Sequence, residues 1–366
     1  MADSPLHLLA GQGQSVWVDS LSRDMVLGGE LARLVREDAA TGVTSNPSIF
    51  QKALATGSAY DEQLASLPAG TSAKEAFVAL AVQDIQAACD VLAPVYAATK
   101  GADGFVSLEV DPTLAYDTEA TFAEAARLWK EVARPNLMVK IPATLPGLPA
   151  IEDSIAAGRS INVTLIFSLE RYVKVAECYI RGLQRLAADG ADLSKVSSVA
   201  SFFVSRVDTE ADKRLAAAGR GDLAGKLAVA NAKLAYAEYQ RLFSGPAWEE
   251  LAAKGARPQR PLWASTSTKN PAYKDTIYVD ELIGPDTVNT MPEETIRAFK
   301  DHGVVARTID ADVAGARALF ADVAAAGVSY DDVVTLLEAE GVDKFADAFA
   351  GLLAGIEAKQ SAVAAA

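Results

Sequence analysis

Lys140 sits where a lysine is costly, inside an apolar run. Leu137, Met138 and Val139 lead into it, Ile141 and Pro142 follow, and a turn passes through Pro146 and Gly147 before Glu152. Side chains alternate faces along a strand, so Leu137, Val139 and Ile141 share one face and Met138, Lys140 and Pro142 the other. Burial disfavours the charged ammonium, and a neutral amine is the nucleophile that forms Schiff bases with carbonyl compounds. Taken alone, this strand is read more simply as a strand-end lysine that lays its stem on apolar neighbours and reaches solvent.

Other β-type runs carry polar residues in the same alternation. Ser107, Glu109 and Asp111 oppose Val106, Leu108 and Val110; Trp17 and Asp19 oppose Val16 and Val18. Asn162 and Thr164 oppose Ile161, Val163 and Leu165. The remaining runs offer Thr44 and Asn46, Ser201 and Phe203, Trp263 and Ser265, and Thr287 and Asn289. If one parity faces a shared interior, all eight sets converge on the lysine. Any single polar residue there is as readily structural as catalytic: Asp19 could cap a helix, and Asn46 could make an Asx turn before Pro47.

The elements that must position these residues alternate along the chain. Strand candidates are Ser15–Asp19, Gly42–Asn46, Phe105–Asp111, the Lys140 run, Ser160–Phe167, Val196–Phe203, Leu262–Thr266 and Thr287–Thr290, with helical stretches between them. Ser168 is placed to cap a helix, and Thr290 with Glu293 has the spacing of a capping box. Eight such units predict a (β/α)₈ barrel whose site lies at the carboxyl ends of the strands. A doubly wound sheet is the competing architecture, weakened because no Gly-rich dinucleotide turn follows any strand. The expectation is one domain over residues 1–366, with C-terminal helices at about 330–366.

Composition narrows the function classes. The chain has 366 residues, half of them hydrophobic, and a formal net charge of −14. Such a surface predicts no nucleic-acid or membrane partner and leaves phosphate binding to local cations. Cys89 and Cys178 stand apart, so no disulfide framework or metal cluster is expected, and the inferred compartment is the reducing cytoplasm. No run is expected to be long and apolar enough to cross a membrane, and residues 1–15 lack a charged start followed by an apolar segment. Neither His7 nor His302 stands in a catalytic pattern. Proton transfer therefore falls to carboxylates, lysine or hydroxyls.

These residues suggest a chemistry. Lys140 would attack a ketose carbonyl to give a carbinolamine and then an imine, which draws electrons from the bond between the third and fourth carbons. Asp19 or Glu109 would move protons, directly or through a water held by Glu109 and Thr164. Asn46, Asn162 and Ser201 would hydrogen-bond substrate hydroxyls. No cofactor is required, and no metal-ligand spacing is present.

The sequence resembles the transaldolase family of the Schiff-base (class I) aldolase superfamily. Thr44-Ser45-Asn46-Pro47-Ser48 is similar to that family's first signature, and Leu137 through Glu152 to its lysine-bearing second. Glu109-Val110-Asp111-Pro112, Asn162 through Phe167, and Ser201 through Arg206 also resemble family segments, and the resemblance stretches from Asp19 to about Pro292. It implies a circularly permuted aldolase-type (β/α)₈ barrel with extra helices and Lys140 as Schiff-base former. By position it makes Asp19 the acid/base at carbon–carbon cleavage, and Glu109 and Thr164 the holders of a water. It implies transfer of a dihydroxyacetone unit from sedoheptulose 7-phosphate to glyceraldehyde 3-phosphate, in the pentose phosphate pathway. Arg206 resembles the family's phosphate-binding arginine. Where many relatives continue with Ser-x-Arg, this chain reads Ser265-Thr266-Ser267-Thr268-Lys269-Asn270, so Ser265 is carried over and Lys269 is either a second phosphate contact or a solvated loop charge.

Two other functions compete. A fructose 6-phosphate aldolase would release the three-carbon unit instead of passing it on. Such relatives tend to carry glutamine and tyrosine where this chain has Glu109 and Phe203, so these two residues favour transfer. A non-catalytic sugar-phosphate-binding barrel is the third possibility, since fold does not fix function, and the intact set of Asp19, Glu109, Lys140 and Thr164 argues against it. The expected partners are phosphorylated ketoses and aldoses, and the expected assembly is a monomer or a homodimer.

Overall fold

The computed structural model describes residues 4–55 and 57–364. The outermost residues of the expected 1–366 domain and of the expected C-terminal stretch lie outside them. Eight parallel strands close into a barrel in chain order. They are β1 (Gln14–Val18), β2 (Ala40–Val43), β3 (Val106–Glu109), β4 (Leu137–Pro142), β5 (Ile161–Ile166), β6 (Ser198–Phe203), β7 (Arg260–Ala264) and β8 (Thr287–Met291). Helices follow the strands and wrap the barrel, as the alternation of elements predicted. Two strands are displaced from expectation. β2 ends at Val43, so Thr44 and Asn46 lie past its carboxyl end, and β7 ends at Ala264, just before Ser265 takes a left-handed conformation (φ 56°).

The lumen is closed at its lower end by Trp17. Its indole Nε1 donates to Asp103 Oδ1 at 2.9 Å, and Ser15 Oγ donates to the other carboxylate oxygen. Trp17 stands in register with Gly42 of β2, and a Cβ there would come within 2.4 Å of the indole ring. A residue without a side chain is what lets this strand approach so closely.

Parity holds for the strands around Lys140 and is reversed on two others. Glu109 and Asn162 are its register partners on β3 and β5. On β7 and β8, however, Ala264 and Thr290 line the upper cavity. Trp263 turns the other way, with Nε1 on Leu282 O and its ring against Phe202; Asn289 Nδ2 reaches Tyr278 O, and Thr287 bonds Gln14 and Gly284. The cause is general: strands of a parallel barrel are buried on both faces, so polarity does not identify the lumen where carbonyls outside satisfy the polar atoms. Asp111 also departs from expectation. Past the end of β3 it pairs with Lys74 at 2.6 Å and caps the short helix Pro112–Leu114.

Of three local expectations, one holds and two are corrected. Ser168 does cap the helix Leu169–Ala188, accepting from Arg171 N. Thr290 makes no capping box, because the helix Glu293–His302 begins after Pro292 and Thr290 bonds Thr44 instead. The helix Ala73–Ala98 corrects the membrane expectation, since by length and hydropathy it could cross one. Here it is largely buried, and its Asp84 receives Arg23 Nε and Tyr60 Oη, each at 2.8 Å, an ionic network suited to a core helix.

The fit at the barrel floor yields a stability prediction. Gly42→Ala forces the pinned indole to move, and overpacking of this kind costs about 1–3 kcal/mol. Urea unfolding should show a lower midpoint at unchanged slope. A midpoint equal to wild type would mean that the floor accommodates a methyl group.

Candidate active site

Lys140 is the fourth of six consecutive buried residues in β4. Its Nζ donates to Ser45 O at 3.2 Å and to Glu109 Oε2 at 3.3 Å, and it lies 5.5 Å from the centre of the Phe345 ring. The Ser45 carbonyl is within reach because the chain leaves β2 and turns before Pro47, with Ser45 Oγ fastened to Ser107 O at 2.7 Å. The amine opens on a cavity of about 270 Å³ at the carboxyl ends of the strands.

Asp19, Asn46, Thr164, Ser201, Phe203, Arg206, Ser265 and Lys269 all line that cavity with Lys140. Asp19 caps no helix. It accepts from Thr44 Oγ1 at 2.7 Å, and Thr44 is itself 2.7 Å from Thr290 Oγ1, so the hydroxyl pair fixes one carboxylate oxygen. Asn46 does cap, its Oδ1 accepting from Ile49 N at 3.0 Å. Its amide NH₂ is thus the group left for the cavity. Thr164 is fully buried, and its Oγ1 has no hydrogen-bond partner among the described residues.

Two expected residues stand behind this first layer. Asn162 does not line the cavity: its Nδ2 donates to Ser107 Oγ at 2.9 Å and its Oδ1 accepts from Ser201 Oγ at 2.6 Å. It reaches the cavity through Ser201. Glu109 touches Lys140 from a small apolar crevice lined also by Phe50, Phe77, Leu108 and Phe349. Burial there pushes its carboxyl up to about 7, against the opposing pull of the Lys140 ammonium. Asp19 is raised as well, again by burial first, with the Thr44 hydrogen bond and Lys140 acting in the opposite direction.

The residues expected to meet a phosphate, Arg206, Ser265 and Lys269, share this cavity. The Arg206 guanidinium lies over the Phe203 ring at 5.3 Å, and its Nη1 is buried without a partner among the described residues. Burial lowers its proton affinity, which is the mark of a cation held short of counter-charge. Lys269 is exposed, donates to Ser267 Oγ at 2.6 Å, and also lines the cavity. Ser265 reaches it through its left-handed turn, with Oγ 3.0 Å from Ser205 Oγ.

Thr290, Ser267, Pro292, Glu294 and Phe345 also line the cavity, and the sequence does not point to them. Thr290 has the spacing of a capping box in the sequence, and nothing in the sequence sets Phe345 apart within the C-terminal stretch. Among the described residues, no group of His, Cys, Asp and Glu is arranged to hold a metal ion.

The crevice around Glu109 gives a pH prediction. A carboxyl raised from 4.5 to about 7 binds its proton more tightly folded than unfolded. Its contribution to stability is full below the unfolded value and is lost as pH rises through about 7. The swing is on the order of 3 kcal/mol. Denaturant unfolding of wild type and Glu109→Gln at pH 5, 6, 7 and 8 should therefore show the wild type losing ground to the variant across this range. A constant difference would mean that Glu109 ionises at an ordinary carboxylate pH.

Comparison with known proteins agrees with this arrangement. Residues 16–356 match the family model described as Transaldolase/Fructose-6-phosphate aldolase. The chain is 54% identical over 354 residues to a transaldolase of Parafrankia, covering 95% of this chain and 96% of that one. It is 54% identical to Transaldolase 1 of Streptomyces avermitilis (96% and 94% covered), and 54% identical to a transaldolase of Thermobifida fusca (96% of each). With Lys140 on β4 at the head of its polar cavity, this chain belongs to the transaldolase/fructose-6-phosphate aldolase family.

Proposed function

We propose that this chain is a transaldolase that moves a dihydroxyacetone unit from sedoheptulose 7-phosphate to glyceraldehyde 3-phosphate through an imine on Lys140, giving erythrose 4-phosphate and fructose 6-phosphate. The observation that carries this reading is the Lys140 amine. It is 5% exposed, opposed by the Glu109 carboxyl, and open to a cavity lined by hydroxyls, an amide and the cations Arg206 and Lys269.

The Lys140 amine attacks the ketose carbonyl and loses water to form a cationic imine. Glu109 and Thr164 handle that water. In support, Glu109 touches the amine and is tuned to exchange protons near neutrality, while the buried Thr164 hydroxyl has no partner among the described residues. Asp19 takes the proton from the fourth-carbon hydroxyl as the bond between the third and fourth carbons breaks. Its raised proton affinity suits it to accept that proton and return it. The electron pair passes into the imine as an enamine, and the aldose departs. The enamine carbon then attacks the aldehyde of the acceptor, Asp19 protonates the new alkoxide, and hydrolysis of the imine frees the ketose.

Asn46 and Ser201 hold substrate hydroxyls, with Asn162 orienting Ser201 from behind. Arg206, with Ser265 and Lys269, receives the phosphate; a guanidinium whose Nη1 has no partner among the described residues suits a bidentate phosphate contact. Phe203 provides the ring beneath that guanidinium. The whole chain acts as one barrel domain with helical additions, as a monomer or homodimer in the cytoplasm, and needs neither metal nor cofactor.

The test is a coupled assay with fructose 6-phosphate as donor, run with and without erythrose 4-phosphate as acceptor. Turnover should depend on the acceptor. Equal turnover without it would identify an aldolase that releases the three-carbon unit, and no turnover in either case would identify a binding protein.

A further inference from the structure

We propose that Phe345, carried by the C-terminal helix Tyr330–Ala364, shuts water away from the reacting nitrogen of Lys140 and so commits the bound three-carbon unit to transfer rather than release. This rests on the reading of Lys140 as Schiff-base former. Phe345 lines the cavity, is 5% exposed, and presents its ring 5.5 Å from the Lys140 nitrogen. It comes from none of the barrel's strands or the loops that directly follow them. The last helix in the chain lays it across the barrel mouth.

That helix is fastened on both sides of the ring. One turn before it, Gly341 packs against Leu165 and Phe167, beside Thr164 at the end of β5; a Cβ there would meet Leu165 Cδ2 at 3.0 Å. Glu338 pairs with Arg171 at 3.0 Å. One turn after it, Phe349 packs edge-on against Phe77 at 5.5 Å and lines the apolar crevice of Glu109. Two aromatic rings one turn apart therefore dry the lysine and its carboxyl partner together.

The chemistry shows what this drying decides. After cleavage, the Lys140 nitrogen is bonded to the second carbon of an enamine. In transfer, the third carbon gives its electron pair to the aldehyde carbon of the acceptor, and the new alkoxide takes a proton. In release, the third carbon takes a proton from water instead. Water then adds at the second carbon, the carbon–nitrogen bond breaks, and free dihydroxyacetone and the amine are restored with one water consumed. Transfer also ends in imine hydrolysis, so one positioned water is required. A ring over the nitrogen excludes further waters that would protonate the enamine before an acceptor arrives.

The test compares wild type, Phe345→Leu, Phe345→Ala and Leu352→Ala at one subsaturating acceptor concentration, reading free dihydroxyacetone formed per acceptor consumed. Leu352 is buried two turns further along the same helix and does not line the cavity, so its truncation loosens the helix without opening the site. The expected result is a several-fold rise in the ratio for Phe345→Leu, larger for Phe345→Ala, with Leu352→Ala at the wild-type ratio. Thermal melts should show that Phe345→Leu remains folded. A wild-type ratio in Phe345→Leu, or an equal rise in Leu352→Ala, would overturn the proposal. Absence of any acceptor-dependent transfer in wild type would instead overturn the underlying reading of Lys140.

Discussion

The structure turns on an amine held inside a parallel barrel. Taking an ammonium out of water costs several kcal/mol unless its donors are met. Lys140 meets two partners, the Ser45 carbonyl and the Glu109 carboxyl. Both depend on how neighbouring strands end. β2 stops at Val43, which frees the Ser45 carbonyl to turn inward, and register sets Glu109 beside Lys140. The apolar crevice behind Glu109 then raises its proton affinity despite the adjacent cation. Glu109 is thereby able to exchange a proton near neutrality, as the proposed imine chemistry requires in both directions.

Around this pair the polar groups fall into two kinds. Most are satisfied within the protein: Thr290, Thr44 and Asp19 form one hydroxyl–carboxylate chain, and Ser107, Asn162 and Ser201 another. Such chains fix orientation before any substrate arrives. Two buried polar atoms of the lining have no partner among the described residues, Thr164 Oγ1 and Arg206 Nη1. Buried groups of this kind are rare in folded proteins. Their positions suit a water beside the carboxyl and a phosphate at the rim. Overhead, Phe345 of the C-terminal helix stands 5.5 Å from the Lys140 nitrogen.

How much of this was legible in the sequence depended on contrast. A polar residue in an otherwise apolar strand announces its face, as Lys140, Glu109, Asp19, Asn162, Thr164 and Ser201 do. β7 and β8 offered no such contrast, because Trp263 and Asn289 bond carbonyls outside the lumen while Ala264 and Thr290 face in. Ser265 shares the parity of Trp263, which faces outward, and it is the family resemblance that points to it as part of the site. It arrives there through a left-handed turn, which no alternation rule anticipates. Phe345 was invisible for a different reason: an apolar stripe at helical spacing says that a helix packs, and not on which end of a barrel. Asn162 was found but stands one layer deeper than expected, since sequence gives a residue's face and not its depth.

The most direct measurement of the central claim is borohydride reduction of the enzyme with fructose 6-phosphate, followed by peptide mapping. If Lys140 is the Schiff-base former, reduction fixes a three-carbon adduct on the peptide that contains it, and Lys140→Arg abolishes the labelling. An adduct on any other lysine, or no adduct while turnover persists, would contradict the account.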